Sequence, residues 1–210
     1  MKLRYPIKNG VFNNEQDILT IFNHIYDKLK IVNKEEHPVF ITEPILNPLY
    51  HRKQIASILF ETLGVPAVFF GSQPILSLYS SNHKTGIVLE SGEGITQCCV
   101  AFEGFAIPHS YIRYDFGGKN VTEYLQTLLR RCGHNFNTTS EFEIVKKIKE
   151  EMCYALLSSS SGDDRRPNES NETKYLLPDG NHVPIREEKV MAPEILFDPL
   201  RVGLENLCKL

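Results

Sequence analysis

Residues Leu89 to Gln97 read LESGEGITQ, so two carboxylates and two glycines fall within Glu90–Gly94, with apolar residues on both sides. Two chemistries fit this spacing. A Gly-containing acidic turn between strands is an ordinary β-hairpin. It is also a possible phosphate loop, because successive backbone N–H groups at such a turn point into one concavity. Gly92 and Gly94 would let that backbone come close to an anion. Glu90 and Glu93 could not touch phosphate directly, since like charges repel. They fit only with a divalent cation between, held through water as magnesium prefers. On the residues alone both readings stay open.

The elements that must position this stretch follow from hydrophobic periodicity. Asn14 is a good N-cap for a helix from about Glu15 to Leu29, with Ile18, Leu19, Phe22, Ile25, Tyr26 and Leu29 at helical spacing. HPVFITEP (37–44) reads as a buried strand. Asn47 and Pro48 then open a helix striped by Ile55, Ile58, Leu59 and Leu63 and ended by Gly64. VPAVFF (65–70) is a second strand, and a helix from Gln73 to Tyr79 follows Ser72. Strand and helix in alternation imply a parallel sheet with crossover helices, an α/β fold.

From Thr85 the order changes. TGIVLESGEGITQCCVAFEGFAIPHSYIRYDF reads as three successive strands joined by Gly-containing turns. A helix is expected from about Val121 to Arg131, capped by Asn120 with Glu123 three residues on. Another is expected from Glu141 to Leu157, where Ser140 and Glu143 suit a capping box. The stretch 158–173 has no apolar residue and reads as a flexible loop. KYLLPDGNHVPI is a hairpin around Asp179–Gly180, and the tail from Pro193 to Leu210 shows no clear closing element.

Composition narrows the function classes. A net charge of −3 gives no long-range field towards nucleic acid or anionic lipid, so neither is an expected partner. No apolar run approaches the ~20 residues that span a bilayer. The five cysteines have no C-x-x-C spacing and read as reduced cytosolic thiols, not as a disulfide frame or zinc site.

Several longer segments carry a resemblance. YPIKNG (5–10), EEHPVFITEPILNP (35–48), FETLGVPAVFFGSQPILSLYSS (60–81) and TGIVLESGEGITQ (85–97) resemble actin and the actin-related proteins. FEGFAIPHSYIRYDFGGKNVTEYL (102–125), SEFEIVKKIKEEMCYAL (140–156), YLLPDG (175–180) and APEILFDP (192–199) continue in the same order. SEFEIVK and YLLPDG lean towards the centractin-like branch. The resemblance implies an actin-like, ribonuclease-H-like ATPase fold, incomplete at both ends because the chain matches only the middle of the family. It further implies a partial first domain over 1–80, the three-strand phosphate-loop part of a second domain over 81–116, and a helical outer lobe over 117–210.

The implied ligand is ATP with Mg2+. Ser91, Gly92, Glu93 and Gly94 resemble the family's second phosphate loop, and Glu90 would face the metal. Gln73 matches the glutamine that orients the attacking water, and Gln97 stands at a second catalytic position. Gly118 matches a glycine of the nucleotide cleft; Lys149 and Glu150, with Lys146 a turn earlier, match residues beside the adenosine. By periodicity alone, those three would be the solvated face of a helix.

Four positions depart from the family pattern. Glu90 and Glu93 stand where the family has aspartates, and the extra methylene moves each carboxylate outward. Gln97 replaces a histidine, and an amide cannot change charge near neutral pH. Asn9 replaces the histidine of the YP-x-x-HG stretch.

Two functions are therefore expected in parallel. One is an actin-related cytoskeletal protein, cytoplasmic, with cytoskeletal or actin-like partners, binding and slowly hydrolysing ATP. The other is a non-catalytic, truncated actin-like binding module or fragment. Filament formation by this chain alone is not expected.

Overall fold

The computed structural model describes residues 3–156 and 173–204. They fall into two compact units, Arg4–Phe116 and a second that joins Leu3 to the residues from Gly117 onward. The first opens with a hairpin absent from the sequence reading, in which β1 (Ile7–Lys8) pairs antiparallel with β2 (Val11–Phe12). Asn9 (φ 50°) and Gly10 (φ 72°) supply the two left-handed residues that a two-residue turn requires.

Helix α1 (Glu15–Leu29) forms where expected; the Asn14 side chain accepts the Gln16 N–H at 2.9 Å. Its Ile18 and Tyr26 join Phe12, Ile58, Leu59, Leu63 and Val65 in one buried core. Strand β3 (Val39–Glu43) leads to α2 (Leu49–Ser57), a wide turn over Ile58–Thr62, and β4 (Val68–Ser72). β3 and β4 pair in parallel, as the crossover rhythm requires. Asn47 does not cap α2. Its amide donates to buried Glu43 at 3.0 Å, which Arg52 of α2 also holds, and Pro48 takes the cap position.

Helix α3 (Gln73–Ser80) then precedes an antiparallel sheet of four strands, one more than expected: β5 (Gly86–Ser91), β6 (Thr96–Phe102), β7 (Phe105–Ala106) and β8 (Ile112–Tyr114). β6 is the middle strand, with β5 on one side and β7 and β8 on the other.

The second unit holds α4 (Gly118–Arg131), α5 (Thr139–Met152), the hairpin of β9 (Thr173–Leu176) and β10 (His182–Ile185), and α6 (Glu188–Glu194). α4 starts a turn earlier than expected. Gly117 is its N-cap, and the Asn120 side chain accepts the Gly117 N–H at 3.0 Å from inside the first turn. α5 is capped by Thr138 with Glu141, not by Ser140 with Glu143, and its last helical residue is Met152, short of Leu157. Val121, Leu125, Leu129, Val145, Ile148, Val183, Ile185 and Ile195 are buried in this unit. The hairpin turns at Asp179–Gly180 as expected (Gly180 φ 86°). α6 and a 3-10 turn at Pro199–Val202 occupy the region read as lacking a clear element. The loop expected over 158–173 lies outside the described residues, apart from Thr173, which begins β9. Among the described residues no helix is long and apolar enough to cross a membrane.

Candidate functional site

The LESGEGITQ segment is the β5–β6 hairpin. Ser91 pairs with Thr96 and Glu90 with Gln97, which leaves Gly92 to Ile95 as a four-residue connection. The Gly92 N–H closes it on the Ile95 carbonyl at 2.8 Å. Alternation along the strands sends Ser91 and Thr96 to one face and Glu90 and Gln97 to the other.

On the first face the hydroxyls bond within the protein. Thr96 Oγ1 donates to the Phe116 carbonyl at 2.8 Å. A threonine hydroxyl has one proton, so the 2.9 Å contact of Ser91 Oγ with Thr96 Oγ1 is a bond donated by Ser91. Ser91 thus has no proton left for a phosphate, and any anion held here meets backbone N–H groups.

On the other face lies a connected polar cluster. Gln97 is only 4% exposed. Its amide nitrogen donates to Glu90 Oε2 at 2.7 Å and to Gln73 Oε1 at 3.2 Å, and its oxygen accepts the Ile45 N–H at 3.0 Å. Ser77, one turn along α3 from Gln73, donates to Glu90 Oε1. Gln73, Glu90 and Gln97, distant in sequence, are therefore brought together one residue pair beneath the turn.

The turn itself rests on the β1–β2 hairpin. A Cβ added at Gly94 would lie 2.9 Å from Asn9 Oδ1 and 3.3 Å from Asn9 Cα, whereas one at Gly92 would meet only the Ile95 carbonyl at 3.6 Å. Arg113 of β8, whose side chain is 10% exposed, braces this arrangement. Its guanidinium donates to the carbonyls of Asn9 (2.9 Å), Ile45 (3.1 Å) and Leu46 (3.3 Å) and pairs with Asp115 at 3.2 Å. It thus fixes both the Asn9 turn against Gly94 and the Ile45 N–H against Gln97. Sequence reading missed Arg113, Ser77 and the Asn9–Gly10 turn. Only the turn had a local signal, an Asn-Gly pair between apolar residues.

The remaining candidates sit in the second unit. Gly118 is the first residue of α4, and its carbonyl accepts from Lys149 Nζ of α5 at 3.0 Å. Lys146, Lys149 and Glu150 lie at i, i+3 and i+4 of α5 and share a face, with Glu150 exposed. Burial pushes the Cys153 thiol up to about 11, against the lowering effect of Lys149, so it stays protonated near neutral pH and packs rather than reacts.

The donor set fits a cation carried by phosphates but not one caged by protein. Among the described residues no group of three or more His, Cys, Asp or Glu side chains could hold a metal ion. Glu90 accepts one hydrogen bond at each oxygen and keeps lone pairs for metal-bound water, the outer contact that magnesium tolerates.

The sequence model of the actin family matches residues 1–208. An actin-like protein of Neurospora crassa is 43% identical over 209 residues, covering 98% of this chain and 55% of its own length. The chain spans about half the length of that curated relative.

Proposed function

The chain belongs to the actin family, and from that premise we propose that its β5–β6 hairpin binds the phosphates of ATP in an actin-related cytoskeletal protein. The observation that carries this reading is the polar cluster of Gln73, Glu90 and Gln97 beneath a turn whose Gly94 is closely apposed to Asn9. Backbone N–H groups of Ser91, Glu93 and Gly94 would donate to the phosphate oxygens, the Gly92 N–H being held by the Ile95 carbonyl, with Glu90 receiving water of the magnesium. When bound, that ion would neutralise and orient phosphate charge. We assign Gly118, Lys146, Lys149 and Glu150 to the nucleoside on the family resemblance alone. Cytoplasmic location and actin-like or cytoskeletal partners belong to the same proposal.

Within this reading, the chain's own residues hold geometry. Gln97 ties Glu90 and Gln73 to the Ile45 backbone, and Arg113 ties that backbone to the Asn9 turn. Phosphoryl transfer depends mostly on positioning and electrostatics, so these contacts set what the site can do. A second reading, an actin-like module that binds without hydrolysing, is favoured by the commitment of both Gln97 amide protons to protein acceptors.

Calorimetric titration of this chain with ATP, with and without magnesium, tests the first claim. Saturable heat that strengthens with magnesium is expected; no heat with either ATP or tripolyphosphate would remove the phosphate-loop assignment. Release of phosphate under single-turnover conditions then separates the two readings.

A further inference from the structure

Asn9 and Gly10 form the only Asn-Gly pair in the chain, and the fold puts that pair where its own chemistry has a consequence. An asparagine side chain can be attacked by the backbone nitrogen of the next residue, and glycine there leaves the approach open because it carries no Cβ. The two residues are the turn of the β1–β2 hairpin, whose paired residues stop at Lys8 and Val11. Gly10 is exposed. Neither its N–H nor the Asn9 side-chain amide enters a hydrogen bond among the described residues. The Asn9 carbonyl accepts from Arg113 Nη2 at 2.9 Å. That oxygen collects negative charge when the Gly10 nitrogen loses its proton, and a guanidinium aimed at it stabilises that charge. The Asn9 side chain, in turn, lies against the β5–β6 turn: a Cβ at Gly94 would fall 2.9 Å from Asn9 Oδ1.

We propose that Asn9–Gly10 is a self-modifying site at which the side-chain amide is exchanged for a carboxylate beneath the β5–β6 turn. The Gly10 nitrogen gives up its proton and bonds to Asn9 Cγ. The Cγ–Nδ2 bond breaks, and Nδ2 takes up a proton and leaves as ammonia. Water then opens the cyclic imide. Opening at Cγ gives aspartate, and opening at the main-chain carbonyl gives isoaspartate. One water is consumed and one ammonia released, with nothing oxidised or reduced. Either product puts a negative charge in the turn that faces Gly94, whose N–H is among those assigned to phosphate. The modification stands on the hairpin alone. Its effect on binding rests on the phosphate-loop reading above and adds a regulator to it, an anion that repels the ligand the turn would hold.

The test follows freshly purified wild-type chain through warm incubation, by peptide mapping and by titration with tripolyphosphate, alongside Asn9→Asp and Asn9→Gln. Asn9 should convert to a mixture of aspartate and isoaspartate. Asn82, also left-handed (φ 60°) but followed by His83, should stay intact and is the control inside the same chain. Aged wild type, in proportion to its conversion, should lose affinity for tripolyphosphate. Asn9→Asp should bind it about tenfold more weakly than fresh wild type, the scale of one like charge a few ångströms from the ligand in a part-solvated site. Asn9→Gln, whose longer side chain closes a ring far more slowly, should lose no affinity on ageing. Thermal unfolding identifies a variant that fails to fold, and the comparison of fresh with aged wild type needs no variant. Asn9 intact after ageing, or converting no faster than Asn82, would overturn the modification. Equal affinity of Asn9→Asp and wild type would overturn its effect on binding. If fresh wild type does not bind tripolyphosphate, the phosphate-loop reading falls and takes that effect with it, while the mapping still decides the modification.

Discussion

Gly94 and Gly92 are two residues apart and chemically identical, yet they face different surroundings. An added methyl at Gly94 would run into Asn9 at 2.9–3.3 Å, and Asn9 cannot retreat because Arg113 holds its carbonyl at 2.9 Å. At Gly92 the nearest atom is 3.6 Å away. Gly94→Ala should therefore destabilise the first unit by about 1–3 kcal/mol through overpacking and displace the turn, whereas Gly92→Ala should leave stability nearly unchanged. Urea unfolding of both variants checks this; equal effects would show that the turn is not seated on Asn9. At this scale the sequence was readable only where family resemblance marked a position. Gln73, Glu90 and Gln97 were marked, and the structure joins them. Arg113 was not, because its partner Asn9 lies 104 positions away and such a bond leaves no local pattern. The same holds for the Ile45 N–H, 52 positions from Gln97.

Helices and strands were far more legible, since α1, α3, the parallel β3–β4 pair and the Asp179–Gly180 hairpin follow from apolar spacing and turn residues. Their ends were less so, for a physical reason visible at α5. The run NTTSEFE offers two overlapping capping boxes, Thr138 with Glu141 and Ser140 with Glu143. The first forms because the Glu141 carboxylate reaches two backbone donors, Asn137 N–H at 2.6 Å and Thr138 N–H at 2.8 Å, while Thr138 Oγ1 accepts the Glu141 N–H. Those bonds, the Thr138 N–H first and the Asn137 N–H next, hold the Glu141 carboxyl below the ordinary carboxylate range. A depressed folded-state value means the stabilisation is present above the unfolded value and is lost as pH falls through the folded one. The start of α5 should therefore fray in acid, below the usual carboxylate range, before the rest of the unit loosens. Backbone amide shifts of Asn137 and Thr138 followed through acid pH should report it, and Glu141→Gln should remove most of that pH dependence. Invariant shifts in the wild type would contradict the cap.

At the scale of a whole unit, alternation predicts which residues share a sheet face, but not whether anything covers it. Ile87 and Leu89 of β5 share a face with Cys98, Val100 and Phe102 of β6, Phe105 of β7 and Ile112 of β8, by direct cross-strand pairing. Local pattern would put such a run in a core. Instead Ile87 is 74% exposed, Leu89 72%, Phe102 61% and Phe105 79%, while the opposite face packs on α3. Among the described residues β5 is also an edge strand, with one side facing no neighbouring strand. An exposed apolar strand at a sheet edge is an association hazard, and contiguous patches of this kind are uncommon on soluble monomers. The chain on its own should self-associate with rising concentration in sedimentation velocity, more strongly in high salt, because the drive is apolar and screening removes the opposing net charge of −3. Leu89→Lys together with Ile87→Lys should suppress that association, since a charge at an edge strand blocks strand addition, and both side chains already face solvent, so the unfolding midpoint should barely move. A doubly substituted chain that still associates at the wild-type concentration would place the contact elsewhere on the surface.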